Sequence, residues 1–499
     1  MRSFLSRNYL LIFILLLAIV LRFYKLGEVP PHLNWDEASN GYNAYSILKT
    51  GRDEYGNFMP LTFKSFGDYN LALSVYTLTP PVAIFGLNQF AVRLPSAIFG
   101  IIAVFLTYLL ALKIFKNRFV AVFSSLFLAI SPWHLQFSRY DHEANFMQTF
   151  ILTAVTIYFY FKEKVWGLCA TAAFLGLALN TYHGAKILVP EILLLLVIFD
   201  FKNLRRYGKT LALPFLVLFI FSLPIILNFQ NSLIRGQSVG IFNKENPLRT
   251  FVSGYLSHFN PNFLFTTGDQ NGRHAPIGMG ELYVFEIPLI IVGLLALISS
   301  KSKPQKFLLL WLLLAPIPAA MSTPTPHALR AITFLPLWQI ISAFGFYKVI
   351  STRMNFSLKT ALIGAIMAVG LYNFSLYLHI YYSHYPRQKA LDWQDGYRQV
   401  FSFTRENGDK YATIAISNYY GHPYIFTLFY TAYDPASYQK FPNGRDGFDK
   451  YEFFGSSWEK TRPGKAMLVT PFWQSHPPKV LKEIYSTDRD LRFIISETE

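Results

Sequence analysis

Eleven long apolar runs, near residues 8–24, 93–112, 119–135, 146–161, 165–181, 187–200, 210–228, 282–300, 307–321, 331–349 and 360–382, leave this chain few ways to fold. A helix of about 20 apolar residues crosses a bilayer core of about 30 Å. In lipid, only helices or closed barrels satisfy their own backbone. An α-helical protein with about eleven transmembrane helices is therefore expected. Charged residues make up only 15% of the sequence, against about 25% in soluble domains. The first run follows a basic start and lacks a small-residue cleavage site, so it is read as an uncleaved helix.

A twelfth stretch, "LALSVYTLTPPVAIFGL" at 71–87, is short, broken by Pro80-Pro81 and rich in Thr and Ser. Lys and Arg concentrate in short cytoplasmic loops, and that bias decides its status. If 71–87 does not cross, seventeen Lys and Arg fall in the inside segments 1–7, 113–118, 162–164, 201–209, 301–306 and 348–359. The short outside loops 136–145, 182–186 and 322–330 then carry one each: Arg139, Lys186 and Arg330. Were it to cross, every later loop would invert. The segment is expected to lie along the outer interface or re-enter. The +16 net charge thus reflects topology, and no basic stripe with interleaved aromatics points to nucleic acid.

The outer side then carries a long first loop (25–92), a large loop (229–281) and everything after 382. That tail changes character. "YATIAISNYY" and "KAMLVTPFW" read as strands, "DWQDGYRQVFSFTREN" and "PPKVLKEIY" as helices, so 383–499 is expected to be a small α/β domain beside a membrane domain of residues 1–382. A single cysteine, Cys169, excludes an intrachain disulfide. There is no P-loop and no G-x-G-x-x-G on a βαβ unit, so a nucleotide-activated donor has no visible seat.

Chemistry-bearing side chains gather in the outer loops. The first offers Asp36, Glu37, Asp53, Glu54, Lys64, Asp68 and Arg93; the second His134, Arg139, Asp141, His142 and Glu143; the third His183 and Lys186. Later loops add Asp269, Arg273, His274, Glu281, His327 and Arg330. Five separate loops supplying acid, base and cation to one face suit a single reaction centre. Plainer readings stand beside this one. Asn34 and Glu37 fit a helix N-cap with its Glu three residues on. Asp53 and Glu54 sit in a turn-like "TGRDEYGN", where solvation explains them better than catalysis. Arg93 and Arg330 can snorkel at an interface. His134 suits a structural role as well as a ligand's, and "TDRD" at 487–490 lacks any nucleotide fold around it.

"NWDEASNGYNAYSILKTG", "SFGDYNLALSVY" and "FGLNQFAVRLPSAIFG", with "SPWHLQFSRYDHEANF" and "HALRAI", resemble the multi-spanning GT-C glycosyltransferases over roughly residues 10–350. The likeness is to the dolichyl-phosphate-mannose protein mannosyltransferases and lipid A aminoarabinose transferases. It implies interfacial helices in the first loop, a polyprenyl-phosphate sugar donor and Asp36 as the central acid. The second-loop acid maps to Glu143 or Asp141, both open here. The Trp-Trp-Asp signature of the oligosaccharyltransferase branch is missing, which disfavours that branch.

The residues fit such chemistry without the resemblance. A polyprenyl-phosphate leaves well. The remaining needs are a carboxylate to take the acceptor's proton and cations to hold the phosphate. Asp36, with Glu37 and Glu143 near it in kind, is the candidate base; Arg93, Arg139, Lys186 and Arg330 are the candidate clamp. Lys64, Asp68, Asp141, His183, Asp269, His274 and His327 are further candidates for substrate contact. A divalent metal on Asp36, Glu143 and a histidine is compatible with the sequence and not demanded by it. The expected protein is a multi-pass membrane enzyme acting outside the cytoplasm. The sequence names neither sugar nor acceptor. The alternative is a transporter or flippase for lipid-linked sugars, against which the acids sit in loops rather than mid-span and no inverted repeat shows.

Overall fold

The computed structural model describes residues 2–441, 443–477 and 479–498. Side chains of residues 1–7, which carry the Arg2 and Arg7 of the charge pattern, lie outside the description. The chain forms two compact units, one of residues 1–24, 66–73 and 96–380, the other of residues 25–65, 74–95 and 381–499. The second unit is thus larger than the tail expected from sequence, because most of the first loop belongs with it.

In the first unit, helix lies on every expected apolar run. Among the described residues, five helices are long and apolar enough to cross a membrane: Gln89–Phe115, Glu143–Phe161, Gly208–Leu227, Ile332–Ser351 and Phe356–Gln388. Several other runs are interrupted. Ser131 separates helix Arg118–Ile130 from Pro132–Phe137, and Asp200 kinks Ala185–Arg205. Ala72–Phe85, all but its first two residues in the second unit, is a 14-residue helix carrying Pro80 and Pro81. At 1.5 Å per residue it reaches about 21 Å, short of the ~30 Å core. Close packing relies on small residues: a Cβ on Gly345 would lie 1.9 Å from the Leu289 carbonyl oxygen, and one on Gly293 2.2 Å from that of Ile341. Those glycines let helices Glu286–Ile298 and Leu337–Ser351 approach backbone to backbone.

The second unit includes the short strand β1 (Thr62–Lys64); strand β2 (Tyr69–Leu71) belongs to the first unit. Its tail builds a six-stranded mixed sheet from β3 (Thr413–Ser417), β4 (Gly447–Phe448), β5 (Tyr451–Phe454), β6 (Ala466–Pro471), β7 (Lys479–Tyr485) and β8 (Leu491–Thr498), in the order β4-β5-β3-β6-β8-β7. β3 runs parallel to both β5 and β6, and β8 runs antiparallel to β6 and β7. β3 and β6, buried along their whole length, read as unbroken apolar runs. Helix Tyr397–Asn407 falls within "DWQDGYRQVFSFTREN".

One segment is corrected. In "PPKVLKEIY", expected as a helix, Lys479–Tyr485 form the edge strand β7. Its solvent face keeps Lys479 and Lys482, charges suited to an edge, while Ile484 pairs with Phe493 in the core register. "TDRD" is the hairpin turn between β7 and β8, where Asp488 accepts from the Asp490 amide at 3.0 Å and pairs with Arg492.

Candidate active site

The second unit shows why two adjacent acids differ. Asn34 takes an extended backbone and its side-chain oxygen accepts from the Asp36 and Glu37 amides at 2.9 and 3.0 Å. Glu37 Oε2 accepts in return from the Asn34 amide at 3.2 Å, closing a capping box that starts helix Trp35–Thr50. The Glu37 carboxylate then meets Arg93. Nε donates to Oε1 at 2.9 Å, and Nη2 to Oε2 at 3.2 Å and to the His32 carbonyl at 2.6 Å. Nη1 donates to the carbonyls of Leu26 at 3.3 Å and Pro30 at 2.7 Å. All five guanidinium N–H groups therefore have partners, and both side chains are fully buried. The expectations of a catalytic Glu37 and a phosphate-holding Arg93 are corrected on this geometry, since no donor on Arg93 is left for a ligand. Asp36, about 100° around the helix, is half-buried instead.

Two further residues of the first loop depart from expectation. Asp53 and Glu54 are buried, 1% and 2% exposed, rather than solvated. Asp53 accepts from the Tyr55 and Asn57 amides and organises the turn. Burial pushes the Glu54 carboxyl up to about 7, with Arg445 pulling the other way. Lys64 is exposed, its amine 5.1 Å from the Tyr55 ring centre. Sequence reasoning missed the buried pair His32 and Asp395, 2.7 Å apart. Asp395 is held at about 2: burial raises it, and the contacts with His32 and Thr487 outweigh that.

The remaining candidates lie in the first unit. Arg139 donates to the carbonyls of Leu21 at 2.6 Å, Arg22 at 3.0 Å and Tyr24 at 2.7 Å. It is 1% exposed, so its place in the phosphate clamp is corrected to one of tying a helix end. His134 accepts from Arg22 at 2.7 Å. Asp141 is buried and Glu143 half-buried at the first position of Glu143–Phe161, with His142 Nδ1 3.2 Å from its Oε2. The His142 ring lies 5.9 Å from that of Tyr182. Asp68 is half-buried just ahead of β2.

Tyr182 opens a pocket of about 210 Å³ that gathers three loops. Lys186, His183 and Arg330 supply its polar wall with Ser322, while Ile187, Val239, Phe242 and Met321 supply the apolar one. His183 donates from Nε2 to the Tyr69 carbonyl at 2.9 Å, so Nδ1 is left to accept from Lys186 at 2.9 Å. Burial lowers the Lys186 amine to about 8. Arg330 Nη1 donates to Ser322 Oγ at 3.0 Å and to the Thr323 carbonyl at 2.9 Å, which fixes the guanidinium on the pocket wall. Two of the four expected clamp cations thus meet in one cleft with an oily side.

A few residues along, loop 229–281 meets loop 322–330. Gly268, at φ +63, turns the chain, and a Cβ there would sit 2.6 Å from the Met279 carbonyl oxygen. Asp269 follows. Its Oδ2 accepts from His274 Nδ1 at 2.8 Å and from the Ala328 amide at 2.7 Å, and lies 3.9 Å from His327 Nδ1. Its own amide donates to Glu281 at 3.0 Å. Burial raises the Asp269 carboxyl, but the bonds from His274 and the backbone outweigh it and hold it below the usual range. Burial lowers both His274 and His327, which keeps the imidazoles neutral. His258, unremarked in "LSHFNP", accepts the His327 amide at 3.1 Å. Gln136 joins from the second loop by donating to the Arg273 carbonyl at 2.7 Å.

Residues 73–226 match the family described as dolichyl-phosphate-mannose-protein mannosyltransferase. A curated relative, the dolichyl-phosphooligosaccharide-protein glycotransferase 1 of Archaeoglobus fulgidus, is 28% identical over 250 residues, 45% of this chain and 39% of that protein. The chain therefore spans well under half the length of this relative. ArnT from Cupriavidus metallidurans, solved with undecaprenyl phosphate, has a TM-score of 0.60 at 12% identity, covering 98% of both chains. The A. fulgidus oligosaccharyltransferase AglB, solved with an inhibitory peptide and a dolichol-phosphate, has a TM-score of 0.55 at 14% identity, covering 85% of this chain and 64% of that one. Residues 73–226 are thus similar to the mannosyltransferase family, and the chain shares its fold with the two solved structures. The branch set aside for want of Trp-Trp-Asp supplies one of the relatives.

Proposed function

We propose that the chain transfers a sugar from a polyprenyl-phosphate carrier to an acceptor on the extracytoplasmic side of the membrane. The observation that carries this reading is the cleft where Lys186 and Arg330 share a polar wall facing apolar side chains. A lipid phosphate has that dual character: an anion to be held by charge-assisted bonds, and a chain that prefers an oily surface. The lipid phosphates named with ArnT and AglB support the same donor class.

Asp36 is the base in this proposal. Its carboxylate takes the proton from the acceptor nucleophile as that atom bonds to the anomeric carbon and the carbon–phosphate-oxygen bond breaks. Lys186 and Arg330 hold the charge that grows on the departing phosphate. Attack opposite the leaving group inverts the anomeric centre. The second acid is Glu143, whose half-buried carboxyl remains reachable where that of Asp141 is buried.

The test is Asp36→Asn in purified protein supplied with a labelled polyprenyl-phosphate sugar. It keeps the size of the side chain and removes the proton-accepting charge. Release of polyprenyl phosphate and sugar transfer are expected to be abolished, while the carrier still binds. Transfer at a near wild-type rate overturns the assignment of Asp36. Movement of intact carrier across vesicles without sugar release would favour a flippase.

A further inference from the structure

We propose that Asp269, His274 and His327 form a binding site for a divalent transition-metal cation of the zinc class, built wholly from loops 229–281 and 322–330. One oxygen and two ring nitrogens converge within 4.8 Å of one another. A proton suffices to explain the contact between Asp269 and His274 at 2.8 Å. His327 Nδ1, which accepts the Arg330 amide at a long 3.4 Å, also lies 3.9 Å from that oxygen, too far for a hydrogen bond. Bonds of 2.0–2.2 Å to a tetrahedral cation separate neighbouring donors by about 3.4 Å. The observed 2.8 and 3.9 Å bracket that spacing.

The donor set fits. Two imidazoles and a carboxylate suit zinc-like ions, with a fourth position open to water or ligand. The three side chains are 9%, 4% and 8% exposed, and a cation there is shielded from water. Two of the three donors are also oriented from behind. The Ala328 amide fixes the Asp269 carboxylate, and Glu281 fixes the Asp269 backbone. His258 holds the His327 backbone while its own Nδ1 donates to the Gly254 carbonyl at 2.6 Å. Outer partners of this kind set the aim of metal ligands. The His274 and His327 rings lie 4.7 Å apart at 50°, so both nitrogens reach one point without stacking. The consequence is mechanical. An ion here staples two loops and fixes the backbone three residues before Arg330.

Full-length protein in detergent is stripped with a chelator, titrated with zinc and assayed for bound metal by mass spectrometry. One zinc per chain is expected, with at least a 10-fold loss of affinity in the double variant His274→Ala/His327→Ala and no loss in His476→Ala. X-ray absorption on the cobalt-substituted wild-type protein gives a reading that needs no variant: a nitrogen and oxygen shell with two imidazoles is expected. No retained zinc in the wild type, unchanged affinity in the double variant, or a shell without imidazole overturns the site. These readouts do not involve sugar transfer, so failure here and failure of the proposed function are separable.

Discussion

Arg93 and Arg330 look alike in sequence: each is a lone cation in or beside a loop with apolar residues around it. In the structure one is knotted and the other poised. Arg93 closes five hydrogen bonds inside the second unit, two of them to Glu37. Arg330 sits on the wall of a pocket with Lys186, anchored through Nη1 to Ser322 and Thr323. What separates them is the supply of carbonyl oxygens. The segment 26–32 curls around the Arg93 guanidinium and saturates it, whereas the Arg330 loop steadies its side chain at an open face.

The sharpest way to break this contrast is Arg93→Ala. It leaves a buried carboxylate without its cation, a change that costs about 3–5 kcal/mol. A large fall in melting temperature in detergent is expected. A stable variant with impaired carrier binding would return Arg93 to the phosphate clamp.

Arg330→Ala is expected to act in the opposite way. It should weaken carrier-phosphate binding by about 10- to 100-fold, the worth of one or two charged hydrogen bonds, with a small change in melting temperature. Lys306→Ala, in the loop read as cytoplasmic, serves as the control and is expected to bind normally. Equal affinity in the two variants would sever the cleft from the donor.

The smallest effect is one of pH. With its amine lowered to about 8 by burial, Lys186 loses its positive charge as pH rises through that value. Carrier affinity is therefore expected to be full below pH 7 and to decline above 8, by up to about 10-fold for one charged contact. Lys186→Arg should flatten the profile, because guanidinium stays charged. A wild-type profile level to pH 9.5 would count against Lys186 as a phosphate ligand.

The sequence made the helices and the capped start at Asn34 legible, because apolar length and cap chemistry are local signals. Edge strand β7 was not. "KVLKEIY" carries a pattern that suits either element, and pairing with β8 some ten residues on decides it. The loops of the first unit were legible as a list of charged residues, two of which, Lys186 and Arg330, line one pocket. What could not be read was which cations were already engaged. Arg93 is saturated, and Arg139 held, largely by backbone carbonyls, and a carbonyl leaves no mark in the one-letter code. His32 and Asp395 are likewise a pairing across 363 positions that no spacing rule reaches.

The knot at Arg93 also puts a clock on biosynthesis. Glu37 and Arg93 are separated by 56 positions, and a ribosome adds roughly 5–20 residues per second. For about 3–11 seconds after Glu37 is made, its partner does not yet exist. Through that interval the Glu37 carboxylate has no guanidinium to pair with, so the loop cannot yet close around it. The aromatic floor beneath Arg93, Trp393 at 5.6 Å, is synthesised later still, after every apolar run has been made. The Arg93 knot therefore gains its last aromatic neighbour only after the apolar runs have been made.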